Sequence, residues 1–167
     1  MSTPHHKAER RPAFGSFEEL YESEHSRIYR LILMLVRDRS EAEDLTQEAF
    51  VRVYMRWSEV SMMESPSAYA AAVARNLCRS WFRVRLRERT LGKSMASPSA
   101  EEVSLARVRD VLAQLPRRAR EAFVLTGILG FSGREAASIM SVKPGTVRAL
   151  TAQARARLLE MEEAEDE

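Results

Sequence analysis

Six arginines fall within fifteen residues, at Arg75, Arg79, Arg83, Arg85, Arg87 and Arg89, with Trp81 and Phe82 set among them. Guanidinium groups neutralise phosphates and flat rings stack on bases, so this mixture is what a nucleic-acid surface requires. A solvated helix end would also hold some arginine, because a helix C-terminus favours cations. The number of arginines and the interleaved rings favour nucleic acid. A second cluster has the opposite character: Asp44, Gln47, Glu48 and Arg52 share one side of a helical stretch, with Phe50 and Tyr54 one turn apart beside them. An acidic, amide-bearing face that also presents a large aromatic residue reads as a surface for another protein. Nothing points to an enzyme, because nucleophile–base pairs, metal-ligand spacings and phosphate-binding loops are missing from the pattern. His5 and His6 are adjacent and lack further ligands, which reads as a plain tail, and Cys78 falls on the apolar side of its helix as a core thiol.

These clusters need elements to position them. In 167 residues, 45% are apolar and only six are glycine and six proline, mostly between periodic segments, so the fold class is all-α. The single cysteine fits a reducing compartment. No apolar run approaches the roughly 20 residues of a membrane helix, and the N-terminus lacks the apolar core of a secretory signal. The expectation is a soluble cytoplasmic chain without membrane insertion, cofactor or metal. The net charge of +2 conceals a pattern: residues 17–64 carry eleven acids and six bases, while residues 104–159 carry ten bases and three acids. Different parts of the chain should therefore meet different partners.

In order, residues 1–15 are a polar tail. Ser16 with Glu19 is a capping box opening a first helix, whose buried face is Phe17, Leu20, Tyr21, Ile28, Leu31, Ile32 and Leu35. Ser40 with Glu43 is a second capping box, and Ala42, Leu45, Ala49 and Val53 form the apolar stripe of the helix it starts. Residues 57–64 read as a loop bearing Trp57, Val60, Met62 and Met63. Ser65-Pro66 then caps and starts a long helix that ends near Arg89. Residues 90–103 have a linker composition. Ser104 opens a helix with Val108, Val111 and Leu112 inward, and the next starts after Leu115-Pro116, is weakened by Gly127 and stopped by Gly130. Ser132 with Glu135 opens a short helix, Ser141-Val142-Lys143 is a tight turn, and Pro144 begins the last helix. With small Ala137 where two helices must pack closely, this is a helix-turn-helix pattern. The six acids of residues 160–167 are a frayed, solvated end, or a strip that competes with DNA for the basic region.

Ala42-Glu43-Asp44-Leu45-Thr46-Gln47-Glu48-Ala49-Phe50-Val51-Arg52 resembles the polymerase-binding helix of bacterial sigma factors, specifically the two-domain extracytoplasmic-function group. Ala74-Arg75-Asn76-Leu77 matches the same family, as do Gly145-Thr146-Val147-Arg148 and Ala154-Arg155-Ala156-Arg157-Leu158. The resemblance implies two small helical domains, residues 16–89 and 104–159, joined by a flexible linker. It implies that Asp44, Leu45, Gln47, Glu48 and Phe50 bind the coiled coil of the largest subunit of the RNA polymerase core enzyme. It assigns Trp57, Arg75, Asn76, Arg79, Trp81 and Arg83 to the non-template strand of the promoter minus-ten element, with the loop at 57–65 capturing a flipped base. Thr146, Arg148, Thr151 and Arg155 fall to the minus-thirty-five element, Arg148 being best placed to grip guanine. An anti-sigma factor is a further partner the family implies. Three positions depart from its pattern. Ser141 replaces a turn glycine and has to adopt a left-handed conformation, Lys143 replaces a capping serine, and Leu150, Thr151, Ala152 and Gln153 replace a stretch rich in Arg, His or aromatic residues. The expected function is promoter recognition and melting in transcription initiation, with no catalysis. The alternatives are a helical DNA-binding regulator that ignores polymerase, or a sigma-like adaptor for protein partners.

Overall fold

A computed structural model describes residues 13–87 and 100–165. The N-terminal tail to residue 12, most of the linker and the last two residues lie outside the described residues. Among the described residues there are eight α-helices: α1 (Phe17–Val36), α2 (Arg39–Met55), α3 (Trp57–Val60), α4 (Pro66–Arg87), α5 (Ala100–Ala113), α6 (Arg117–Phe123), α7 (Gly133–Met140) and α8 (Pro144–Glu165). A π-helical turn, Val124–Ile128, extends α6. The fold is all-α, as composition and periodicity predict.

Helices α1, α2 and α4 pack pairwise into one bundle, around Leu20, Ile28, Leu31, Ile32, Val53 and Ala71. Ser16 accepts the Glu19 N–H at 3.2 Å, and the Glu19 carboxylate reaches the Gly15 N–H at 2.8 Å. The cap of α2 differs from the sequence expectation. Asp38, not Ser40, is the N-cap and accepts the Glu41 N–H at 3.0 Å, so α2 begins at Arg39 and Ser40 already lies inside its first turn. Arg37, left-handed at φ 65°, closes α1, so only Arg37 and Asp38 separate the two helices. Residues 57–60 form the short helix α3 rather than open loop. Ser65 caps α4 as expected, accepting the Ala68 N–H at 3.2 Å.

The second group packs α6 and α7 against α8, with Leu112, Leu125, Ile139, Val147 and Ala154 inside. Helix α5 starts at Ala100, before the expected Ser104, and only Leu112 of its three predicted inward residues is buried; Val108 and Val111 are exposed. Arg120 reaches back to accept no proton but to donate to the carbonyls of Ala113 and Leu115, closing α5. Ser132 and Glu135 make the full capping box of α7. Ser141 does adopt the left-handed conformation, at φ 54° and ψ 47°, and the Val142 N–H donates to Ala137 O at 2.9 Å. That geometry costs roughly 1–2 kcal/mol for a residue with a Cβ.

Cys78 is buried on α4 as predicted. Desolvation, reinforced by the Glu121 charge, pushes its thiol up to about 12. At pH 8 its reaction with a soluble disulfide reagent should be on the order of a thousandfold slower than that of a free cysteine. Labelling at the free-thiol rate in native buffer would show that this face of α4 is open to solvent.

Candidate functional site

The first site is a groove of about 680 Å³ between α1 and α2, lined by Phe17, Glu18, Tyr21, Glu22, Gln47, Phe50, Val51 and Tyr54. Phe17 is its centre, with ring centroids 5.1 Å from Tyr54, 5.9 Å from Trp57 and 6.3 Å from Phe50. Phe50 packs edge-to-face on Tyr21 at 4.8 Å and stacks near His25 at 5.9 Å. Apolar rings form the floor, and the carboxylates of Glu18 and Glu22 stand at the rim. Asp44, Gln47 and Glu48 are exposed as expected, while Leu45 and Phe50 are buried. Phe50 therefore does not present its ring to solvent. It supports the groove from below, and Tyr54, 62% exposed, is the aromatic residue on offer.

The second site lies along α4, whose arginines divide between two faces. Asn76, Arg79 and Arg83 are exposed and follow helical spacing. Arg83 also donates to Ser80 Oγ at 3.0 Å. Arg75, Cys78 and Phe82 lie on another face, where Arg75 is only 6% exposed and paired with Glu121. That burial departs from the expectation of a solvent-facing Arg75. Trp81 is half-buried, edge-to-face with Phe82 at 5.0 Å, and Arg85 lies over its ring while also pairing with Glu41 at 2.9 Å. Trp57 is not brought to these arginines. It joins the aromatic cluster near the start of α4, where Arg56 donates to Tyr69 at 3.2 Å; Arg79 is about 15 Å further along the helix.

The third site is α8, which follows the turn after α7. Val147 and Ala154 are buried and Leu150 and Leu158 pack beside them, so Leu150 belongs to the core side. Thr146, Arg148 and Arg155 are exposed, with Ala149 and Ala152 also on the open surface. Thr151 differs from its expected role. It is half-buried and its hydroxyl faces Thr126 Oγ1 at 3.4 Å, because it borders the stripe that packs on the π-helical turn.

A family model for Sigma-70 region 2 matches residues 20–88, and one for Sigma-70 region 4 matches residues 105–158. The RNA polymerase sigma-E factor of Streptomyces coelicolor is 31% identical over 86% of this chain and 84% of its own length. The chain belongs to the sigma-70 family. The sigma factor's relatives also include the extracytoplasmic-function factor SigC of Mycobacterium tuberculosis, 32% identical over 83% of this chain and 79% of that one. Among solved structures, the sigma factor RpoE of Bartonella quintana, in complex with the anti-sigma factor NepR, matches with a TM-score of 0.78 at 26% identity. It covers 88% of this chain and 96% of that chain. CnrH in complex with the cytosolic domain of CnrY shares the fold, with a TM-score of 0.69 at 23% identity. This sigma factor is thus a two-domain member of the extracytoplasmic-function group. Among its described residues, no helix is long and apolar enough to cross a membrane.

Sequence reasoning missed several residues of the sigma factor's surfaces. Glu18 and Glu22 were readable as a helical pair but lie on a different helix from Gln47, so only the α1–α2 packing unites them. Arg27 was equally unmarked. Its Nε donates to Leu129 O at 2.9 Å and its guanidinium lies 3.6 Å above Phe131, contacts between the two domains that no local pattern announces.

Proposed function

We propose that the sigma factor directs RNA polymerase in transcription initiation with three separate surfaces and without catalysis of its own, in the cytoplasm where polymerase works. The groove between α1 and α2, with Asp44, Gln47 and Glu48 beside it, takes the polymerase core enzyme. Asn76, Arg79 and Arg83 take the minus-ten strand, and Thr146, Arg148 and Arg155 take the minus-thirty-five duplex. The domains are residues 16–89 and 104–159, and an anti-sigma factor is a further partner, as it is for the Bartonella neighbour.

The groove carries this reading. An open aromatic floor with an acidic rim suits a basic, amphipathic helical partner, in which apolar residues fill the floor and cations meet Glu18 and Glu22. A regulator that ignored polymerase would have no use for it. Gln47 and Tyr54 are both exposed, so truncating them leaves the bundle intact. The Gln47→Ala/Tyr54→Ala variant should bind core enzyme at least tenfold more weakly in a pull-down titration, with unchanged circular dichroism. Equal binding would remove the groove from the polymerase interface. On α8, Arg148 near the helix start suits a bidentate guanine contact, and alanines at 149 and 152 suit the methyl of thymine.

A further inference from the structure

The rim of the groove between α1 and α2 carries two acids that no cation meets. Among the described residues, Glu18 and Glu22 make no ion pair, while other acids on α1 have partners. Glu19 holds the Gly15 N–H, and Glu24 pairs with Arg27. Beside the two open carboxylates, Tyr21 is 40% exposed and Tyr54 62%. Open rings next to unpaired acids mark a surface that something covers.

One segment is already tethered there. Residues 1–12 run directly into the groove's edge, because the described chain begins at Ala13 and its backbone bends at residues 13, 15 and 16. Phe14 packs against the bundle, three residues before Phe17 at the groove's centre. The segment carries Lys7, Arg10 and Arg11 against a single acid, Glu9, with Pro4, Ala8 and Pro12 spaced among them. Its reach is ample. The α1 side of the groove is about 8 Å long and the α2 side about 10 Å. Twelve extended residues span up to about 40 Å, so about four cover the groove and the rest make the turn.

Guanidinium groups suit this floor, since they stack flat on rings while their edges pair with carboxylates. The molecule uses that combination elsewhere: Arg85 lies over Trp81 and pairs with Glu41. Tethering also raises the segment's local concentration to about the millimolar range, so individually weak contacts suffice.

We propose that residues 1–12 fold back into the α1–α2 groove, where Lys7, Arg10 and Arg11 meet Glu18, Glu22 and the Tyr54 ring, and so compete with RNA polymerase for it. The competition rests on the reading of the groove as the polymerase surface; the docking rests on the groove and the tail alone. A groove filled by its own tail for about four-fifths of the time lowers affinity for core enzyme about fivefold.

The test compares the full chain with Lys7→Gln/Arg10→Gln/Arg11→Gln, which removes the tail's cations and keeps its length. Both also carry Ser2→Cys bearing a nitroxide, placed selectively because Cys78 is buried. In amide NMR spectra at low salt, the label on the parent tail should broaden Gln47, Val51 and Tyr54 and spare Ala149 on α8. In the variant that broadening should largely disappear, and affinity for core enzyme in a titration should rise about fivefold. Equal broadening in both chains would reflect the tether alone and overturn the docking, with the polymerase reading intact. Broadening of an isotope-labelled chain by the spin label of another would place the tail in a second copy, which also overturns the proposal. Docking lost in the variant with no gain in core affinity would overturn the competition. The Gln47→Ala/Tyr54→Ala titration then shows separately whether polymerase uses the groove.

Discussion

Replacing Phe50 with alanine should lower the stability of the chain by about 3–5 kcal/mol, the usual cost of truncating a buried aromatic ring. The ring is 3% exposed and contacts Phe17, Tyr21 and His25, so its removal leaves a void that three other rings border. A domain of this size has only about 5–15 kcal/mol in total, so the variant should be near its folding threshold at 37 °C. Urea unfolding at 25 °C, followed by circular dichroism, measures the loss. Tyr54→Ala is the matched control: its ring is exposed, and its stability should change by less than about 1 kcal/mol. If Phe50→Ala costs as little as Tyr54→Ala, Phe50 is a surface residue and the groove has no fixed floor.

Arg79→Ala/Arg83→Ala should abolish most promoter melting while leaving core binding intact. Both side chains are exposed on one stripe of α4, so folding does not depend on them. Each phosphate contact to a single strand contributes roughly 0.7 to the slope of log affinity against log salt, so the double variant should flatten that slope by up to twice as much. Permanganate reactivity of minus-ten thymines, in complexes assembled with core polymerase, reads the melting directly. Complexes that form normally but remain unreactive support the assignment. Unchanged reactivity would move the minus-ten contacts off this stripe.

The helices themselves were legible because capping and periodicity are local. Ser16, Ser65 and Ser132 act as caps because each places a hydroxyl three residues before an amide that needs it. The same rule misled at Ser40, since Asp38 offered a second acceptor and nothing local ranks the two. Ser141 was legible for a different reason: the family that the chain resembles has glycine at this turn position, which marks a left-handed backbone, and Ser141 takes it at φ 54°. Burial across helices was not legible. Phe50 lies at the edge of its own helix's apolar stripe, and only the arrival of Phe17 and Tyr21 from α1 covers it. Arg75 read as one of six similar arginines, because the residue that distinguishes it, Glu121, is 46 positions away. Thr151 likewise looked like a surface position until the π-helical turn brought Thr126 opposite it.

That turn has a consequence of its own. Between Val124 and Ile128 the helix takes one residue more per turn than α geometry allows, closed by the Leu129 N–H donating to Val124 O at 2.9 Å. A single added residue turns all that follows by about 100° about the helix axis. The Leu129 carbonyl that receives Arg27 is aimed by this offset, and so is the Phe131 ring beneath the guanidinium. The fit between the two halves of the molecule is therefore written partly as a count of residues. A chain one residue shorter between Phe123 and Ser132 could keep every buried side chain type and still present its carbonyl to the wrong side.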